Sequence, residues 1–161
     1  MLPDSTLADA ESLLAACRAK GVTLATAESC TGGLIAGALT AIAGSSDVLD
    51  RGFVTYSNEA KTEMLGVPMT LIEQHGAVSE NAARAMADGA LSRSRAGMAM
   101  SVTGVGGPGG GTAAKPAGLV CFGLARRGGD TVTEQRVFPG DRAAIRAAAV
   151  LHAFGMIRAA L

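Results

Sequence analysis

Glu28-Ser29-Cys30-Thr31-Gly32-Gly33 places two candidate nucleophiles on a turn between a short apolar run, Val22–Ala27, and a helical pattern of Leu34, Ile35, Ala38, Leu39 and Ile42. A hydroxyl there meets free backbone N–H groups and the positive end of the helix dipole. Both lower the cost of a nearby alkoxide or oxyanion. Gly32 and Gly33 remove side chains that would block a ligand. The same residues suit a plain helix cap, with Ser29 or Thr31 accepting an N–H. Cys30 competes as a nucleophile, because a thiol pKa falls at a helix N-terminus. A small buried cysteine is the alternative for it and for Cys17 and Cys121.

A serine nucleophile needs a base, and the chain offers few. Of the 2 histidines, His152 falls in an Ala-rich C-terminal helix and His75 precedes Gly76 at a helix end, so packing and capping suit them. Neither has an obvious triad partner. A lysine can act instead if burial or another cation lowers its pKa. Lys20 ends a helix. Lys61 follows the apolar run Phe53–Tyr56 and is the best-placed base, against the alternative of a surface lysine on a short helix.

The glycine-rich stretch Gly104-Val-Gly-Gly-Pro-Gly-Gly-Gly-Thr112 formally contains the dinucleotide spacing G-x-G-x-x-G, but Pro108 and small residues stand where a helix should open. No lysine completes a Walker A loop. What remains is a row of backbone N–H groups suited to a phosphate or ribose, or else a flexible loop. Arg142, after Gly140-Asp141, could add a charge-assisted bond to phosphate or sit solvated in a first helical turn.

The elements that position these groups follow from periodicity. Leu7, Ala10, Leu14 and Cys17 predict a helix over about 5–20, stopped at Gly21. Val22–Ala27 and Phe53–Tyr56 read as strands, each followed by a helix, 34–42 and 58–65. Pro68 and Gly76 bracket a short helix. Ser79 is a plausible N-cap for a helix to about Arg95. Met98–Thr103 alternates with period two. Leu119–Ala125 and Thr131–Phe138 form a hairpin around Arg126–Asp130, and Asp141 opens the last helix. The order implies one domain over 1–161, a layered α/β/α fold with a mixed sheet of about five strands.

Composition narrows the classes. The chain has 161 residues, Lys+Arg 14 against Asp+Glu 14, 48% hydrophobic and 17% charged residues, which excludes disorder. Alanine and the 22 glycines together make about a third of the chain, so backbones pack closely. A pI of about 6.7 without basic clusters or stacking aromatics argues against nucleic acid. Three dispersed cysteines, with no C-x-x-C, fit reduced thiols in the cytoplasm. The uncharged runs Ser29–Ser46 and Ala96–Ala114 are too rich in Ser, Thr, Gly and Pro to span a membrane, and the N-terminus lacks a signal pattern. A small molecule or a second copy is the expected partner.

Five blocks then occur in order: Ala27-Glu-Ser-Cys-Thr-Gly-Gly33, Gly52-Phe-Val-Thr-Tyr-Ser-Asn-Glu-Ala-Lys61, Gly76-Ala-Val-Ser-Glu80, Thr103–Thr112 with Lys115-Pro116, and Gly140-Asp-Arg142. Together they resemble the CinA C-terminal domain family over about residues 8–160. Its longer members carry an N-terminal domain like that of molybdopterin-binding proteins, and this chain resembles the stand-alone form. The resemblance implies hydrolysis of the carboxamide of nicotinamide mononucleotide to nicotinate mononucleotide and ammonia, with no metal or other cofactor, in a homodimer. It assigns Ser29 as nucleophile, Lys61 as general base and Tyr56 as a residue that holds the pair. Thr103 and Arg142 fall at substrate positions, with Gly104 beside them and Thr31, Gly32 and Gly33 around the oxyanion. A nucleotide-binding or regulatory domain that hydrolyses nothing is the competing reading, and a dinucleotide-dependent oxidoreductase a third.

Overall fold

The computed structural model describes residues 2–161. In chain order it has α1 (Asp4–Lys20), β1 (Leu24–Glu28), α2 (Leu34–Thr40), a 3-10 turn (Ser45–Asp47), β2 (Leu49–Val54), α3 (Asn58–Leu65), α4 (Met69–His75), α5 (Glu80–Ser92), β3 (Met98–Gly104), β4 (Leu119–Arg126), β5 (Val132–Val137) and α6 (Arg142–Ala160). The sheet order is β2-β1-β3-β4-β5. β2, β1 and β3 run parallel, and β4 and β5 antiparallel to their neighbours. The mixed five-stranded sheet and the α/β class expected from the sequence are both present.

Strand alternation divides the side chains between two helical layers. Leu24, Met98, Met100, Val102, Val120, Phe122 and Leu124 face α1, α2 and α6 in one apolar core. Fully buried Phe122 and Phe154 there each contribute about 1.5–3 kcal/mol. The opposite face carries Ala25, Ala27, Ala99 and Ala125 against Leu65, Ile72 and Met86 of α3, α4 and α5. Small strand residues let α5 lie close. A Cβ added at Gly123 would come within 2.5 Å of the Ala83 carbonyl oxygen, to which Ser101 Oγ donates at 2.6 Å.

Helix starts obey their caps. Ser57 Oγ accepts from Ala60 N–H, Ser79 Oγ from Ala82 N–H, and the Asp141 carboxylate from Ala144 N–H. Several boundaries differ from the periodicity reading: β1 starts at Leu24 rather than Val22, and α5 ends at Ser92 rather than about Arg95. The second strand is Leu49–Val54 rather than Phe53–Tyr56. Its stretch Asp50-Arg-Gly52 has no apolar pattern and lies at a solvated sheet edge, and pairing with β1 makes it strand. α2 ends at Thr40 instead of Ile42, and a 3-10 turn capped by Gly44 at φ 80° follows.

α6 is long and apolar enough to cross a bilayer by length and composition alone. Here Ile145, Ala149, Ala153, Phe154 and Ile157 are buried in the core, which accounts for its apolar character.

Candidate active site

At the carboxyl ends of the parallel strands the chain leaves β1 toward one sheet edge and β3 toward the other. Such a divergence opens a crevice between the two strand ends. Ser29 follows β1 directly, and its N–H extends the ladder to Val102 O at 2.9 Å. Thr103 and Gly104 close β3, and Lys61 is the fourth residue of α3. Alternation decides the direction of each group. Glu28 turns toward α2, while Ser29 turns to the opposite face, where Lys61 lies.

Lys61 Nζ lies 3.1 Å from Ser29 Oγ and donates to the Thr55 carbonyl oxygen at 2.8 Å. The side chain is 1% exposed, and among the described residues no carboxylate pairs with it. Burial therefore holds its pKa below the usual lysine value, with a small opposing effect from Cys30. In the neutral amine one N–H satisfies Thr55 O, and the lone pair is free to accept the Ser29 hydroxyl proton. That arrangement can activate a serine.

Cys30 also borders this space. Its thiol is buried, which pushes its pKa up to about 11 against the weaker opposing pull of its backbone hydrogen bond and of Arg146 and Arg142. The expected helix-terminus activation of this thiol is absent, and burial keeps it protonated at neutral pH. Cys17, Cys30 and Cys121 are all free and buried.

The turn after Ser29 departs from its sequence reading. The α2 N–H groups thought free for an anion are taken by Glu28, whose fully buried carboxylate accepts from Ile35 N–H at 2.9 Å and Ala36 N–H at 3.0 Å. Gly32 N–H is bound to Ser29 O at 2.9 Å. Gly32 and Gly33 have φ of 58° and 99°, so the left-handed backbone, rather than room for a ligand, requires glycine there. Thr31, Gly32 and Gly33 do not border the cavity, and buried Thr31 Oγ1 has no partner. The backbone N–H of Thr31 has no acceptor among the described residues.

A cavity of about 310 Å3 brings together Ser29, Lys61, Tyr56, Thr103, Gly104 and Arg142. Gly106, Gly107, Gly109 and Gly110 of the glycine-rich loop also face it. Thr103 Oγ1 donates to Ala77 O at 2.8 Å, which leaves its oxygen free to accept. Tyr56 is 62% exposed, and its hydroxyl accepts from Arg142 at 3.0 Å rather than bonding to Ser29 or Lys61. The other arm of Arg142 donates to Gly107 O at 2.9 Å. Arg142 thus spans the mouth between the β2–α3 connection and the glycine loop.

Sequence reading missed two residues of this region, Glu28 and Arg146. Arg146 Nε donates to Cys30 O at 3.0 Å and its Nη2 to Thr31 O at 3.2 Å. A carboxylate ending an otherwise apolar strand, and an arginine one helical turn after Arg142, were the available signals. His75 and His152 lie elsewhere. The His75 carbonyl accepts from Lys115 Nζ at 2.6 Å, and His152 packs on Phe122 and bonds to Glu134 at 3.0 Å.

A larger hollow of about 570 Å3 lies over α4 and α5, lined by residues such as Leu71, Arg84 and Arg93. It holds no paired nucleophile and base, so chemistry rather than size singles out the Ser29 cavity.

Fold and cavity define an α/β domain with a serine–lysine pair at the switch point of its sheet. The chain belongs to the CinA C-terminal domain family, which matches residues 7–161. A protein of Enterobacter agglomerans named nicotinamide-nucleotide amidohydrolase PncC is 55% identical over 132 residues, covering 82% of this chain and 80% of that protein. A CinA-like protein of Mycolicibacterium vanbaalenii is 53% identical over 141 residues, 88% of this chain but 33% of its own length. The chain therefore spans about a third of the longer relatives it matches. The crystal structure of competence/damage inducible protein CihA from Agrobacterium tumefaciens aligns with a TM-score of 0.94 at 49% identity, covering 99% of this chain and 97% of that one.

Proposed function

We propose that this chain hydrolyses the carboxamide of nicotinamide mononucleotide to nicotinate mononucleotide and ammonia, with Ser29 as nucleophile and Lys61 as base. The observation that carries the reading is the buried, carboxylate-free Lys61 amine 3.1 Å from Ser29 Oγ on the wall of a cavity. The name of the Enterobacter agglomerans relative, which this chain covers over 80% of its length, supports the substrate.

Neutral Lys61 takes the Ser29 proton as Oγ attacks the carboxamide carbon. The Cys30 N–H, next to Ser29 on the cavity wall, stabilises the tetrahedral oxyanion. Protonated Lys61 gives its proton to the amide nitrogen, the C–N bond breaks and ammonia leaves. Water then attacks the acyl-enzyme, giving a proton to Lys61, and the carboxylate departs as Ser29 recovers its hydrogen. The positive charge of the pyridinium ring makes the carbonyl electrophilic before the enzyme acts. The Thr103 oxygen can accept a carboxamide N–H. Arg142, exchanging its bond to Tyr56 for one to phosphate, holds the far end of the nucleotide with the N–H groups of the glycine loop.

We extend the proposal to a cytoplasmic homodimer: three dispersed cysteines suit a reducing compartment, and exposed Val132 and Val137 on the open edge strand β5 offer apolar surface for a second copy. The reaction is tested by incubating purified protein with nicotinamide mononucleotide and measuring ammonia and nicotinate mononucleotide together. Both products from the wild type, with at least a ~1,000-fold loss in Ser29→Ala, are expected. Nucleotide binding without ammonia release would instead make the chain a binding domain.

A further inference from the structure

We infer that Arg146 is a positioning residue that holds the backbone turn beside Ser29 and so sets the nucleophile for reaction; this rests on the amide-hydrolysis reading above. Arg146 lies one helical turn beyond Arg142 on α6, and the two guanidinium groups serve different loops. Arg142 reaches Tyr56 and Gly107 across the cavity mouth. Arg146 reaches two consecutive carbonyls of the nucleophile turn, those of Cys30 and Thr31. It does not border the cavity, and among the described residues no carboxylate pairs with it.

The consequence follows from peptide geometry. In a trans peptide the N–H points away from its own C=O. Fixing the Cys30 carbonyl on Arg146 therefore aims the Thr31 N–H away from α6. Fixing the Thr31 carbonyl likewise aims the Gly32 N–H, which meets Ser29 O at 2.9 Å and closes the turn. Holding these two carbonyls fixes Cys30, the residue that follows the nucleophile, and with it the placement of Ser29 Oγ on the cavity wall. Glu28 restrains the other end of the turn through Ile35 and Ala36. The backbone between them has two glycines at positive φ and buried Thr31 Oγ1 without a partner, so it depends on these two anchors for its shape.

The test compares wild type, Arg146→Met and Arg146→Lys, all verified as folded by circular dichroism and assayed well below their melting temperatures. Two readouts are used: kcat, KM and their pH dependence with nicotinamide mononucleotide, and the rate at which a fluorophosphonate labels Ser29. The labelling forms P–O from Ser29 Oγ as P–F breaks and fluoride leaves, so it draws on the same placement of the nucleophile. For Arg146→Met, kcat and labelling rate fall by roughly 10–100-fold, with KM and the pH profile unchanged. Arg146→Lys, able to hold a carbonyl, recovers part of the loss. Unchanged kcat and labelling rate in folded Arg146→Met overturn the inference. So does a rise in KM alone, which would make Arg146 a substrate contact, or a displaced pH profile, which would mean that it acts through Lys61. If the wild type labels at Ser29 but releases no ammonia, the amide-hydrolysis reading fails, and the labelling rates still decide the role of Arg146. Wild type that neither hydrolyses nor labels overturns both.

Discussion

Lys61 carries the argument at the scale of single residues, because a buried amine with no carboxylate has a physical reason to be neutral. Its lowered pKa sets two pH dependences. Activity rises with pH as Lys61 loses its proton, so kcat/KM has an ascending limb centred below the ordinary lysine value of 10.5. Stability follows the same group. Between the lowered native pKa and 10.5 the unfolded chain binds a proton at this side chain that the native protein lacks. This contribution to stability therefore grows with pH across that window and is lost as pH falls through the native pKa. Lys61→Met is expected to lower hydrolysis by at least ~100-fold and to flatten the rise of urea-unfolding stability with pH relative to wild type. A variant with an unchanged slope would show that Lys61 titrates normally. Cys30, held protonated by burial, is expected to be dispensable. Cys30→Ala should keep kcat within a few-fold of wild type, and Cys30 of the wild type should react slowly with iodoacetamide at pH 7. Rapid alkylation of Cys30 in the native protein would contradict that.

At the scale of elements, the site depends on strand ends held by close helix packing. Glu28→Gln keeps the shape of the side chain but can accept only one of the two α2 N–H groups. It should cost about 1–3 kcal/mol in urea unfolding. Gly123→Ala pushes a methyl at the Ala83 carbonyl under α5, an overpacking expected to cost about 1–3 kcal/mol. Equal midpoints for wild type and Gly123→Ala would mean that α5 can shift freely. The contrast between these elements shows what sequence can carry. Strand β3, with its alternation from Met98 to Thr103, the helix starts at Ser79 and Asp141, and the serine-bearing turn are all local patterns and were legible. β2 was not, since polar Asp50 and Arg51 become strand only by pairing with β1. The anchoring of the turn was hidden for the same reason: Arg146 lies 116 residues from Cys30, and nothing local ties them. Lys61 stood between these cases. Its nearness to a strand end was readable, but its burial and its contact with Ser29 required the fold.

For the whole molecule, the cavity draws on both layers of the sandwich. Lys61 belongs to the α3–α5 side, Arg142 and Arg146 to α6 on the other, and Ser29 and Thr103 to the sheet between them. Loss of either layer therefore dismantles the site. Unfolding followed by circular dichroism and by loss of hydrolysis should give coincident urea midpoints. Activity lost well before secondary structure would place the site on a separately melting segment. The most direct test of the central claim is mass spectrometry of enzyme mixed with nicotinamide mononucleotide and quenched in acid within the first turnover. The account predicts a covalent adduct with the mass of the substrate less ammonia, mapped to the peptide bearing Ser29 and absent from Ser29→Ala. Ammonia release with no adduct in the wild type and undiminished turnover in Ser29→Ala would contradict it.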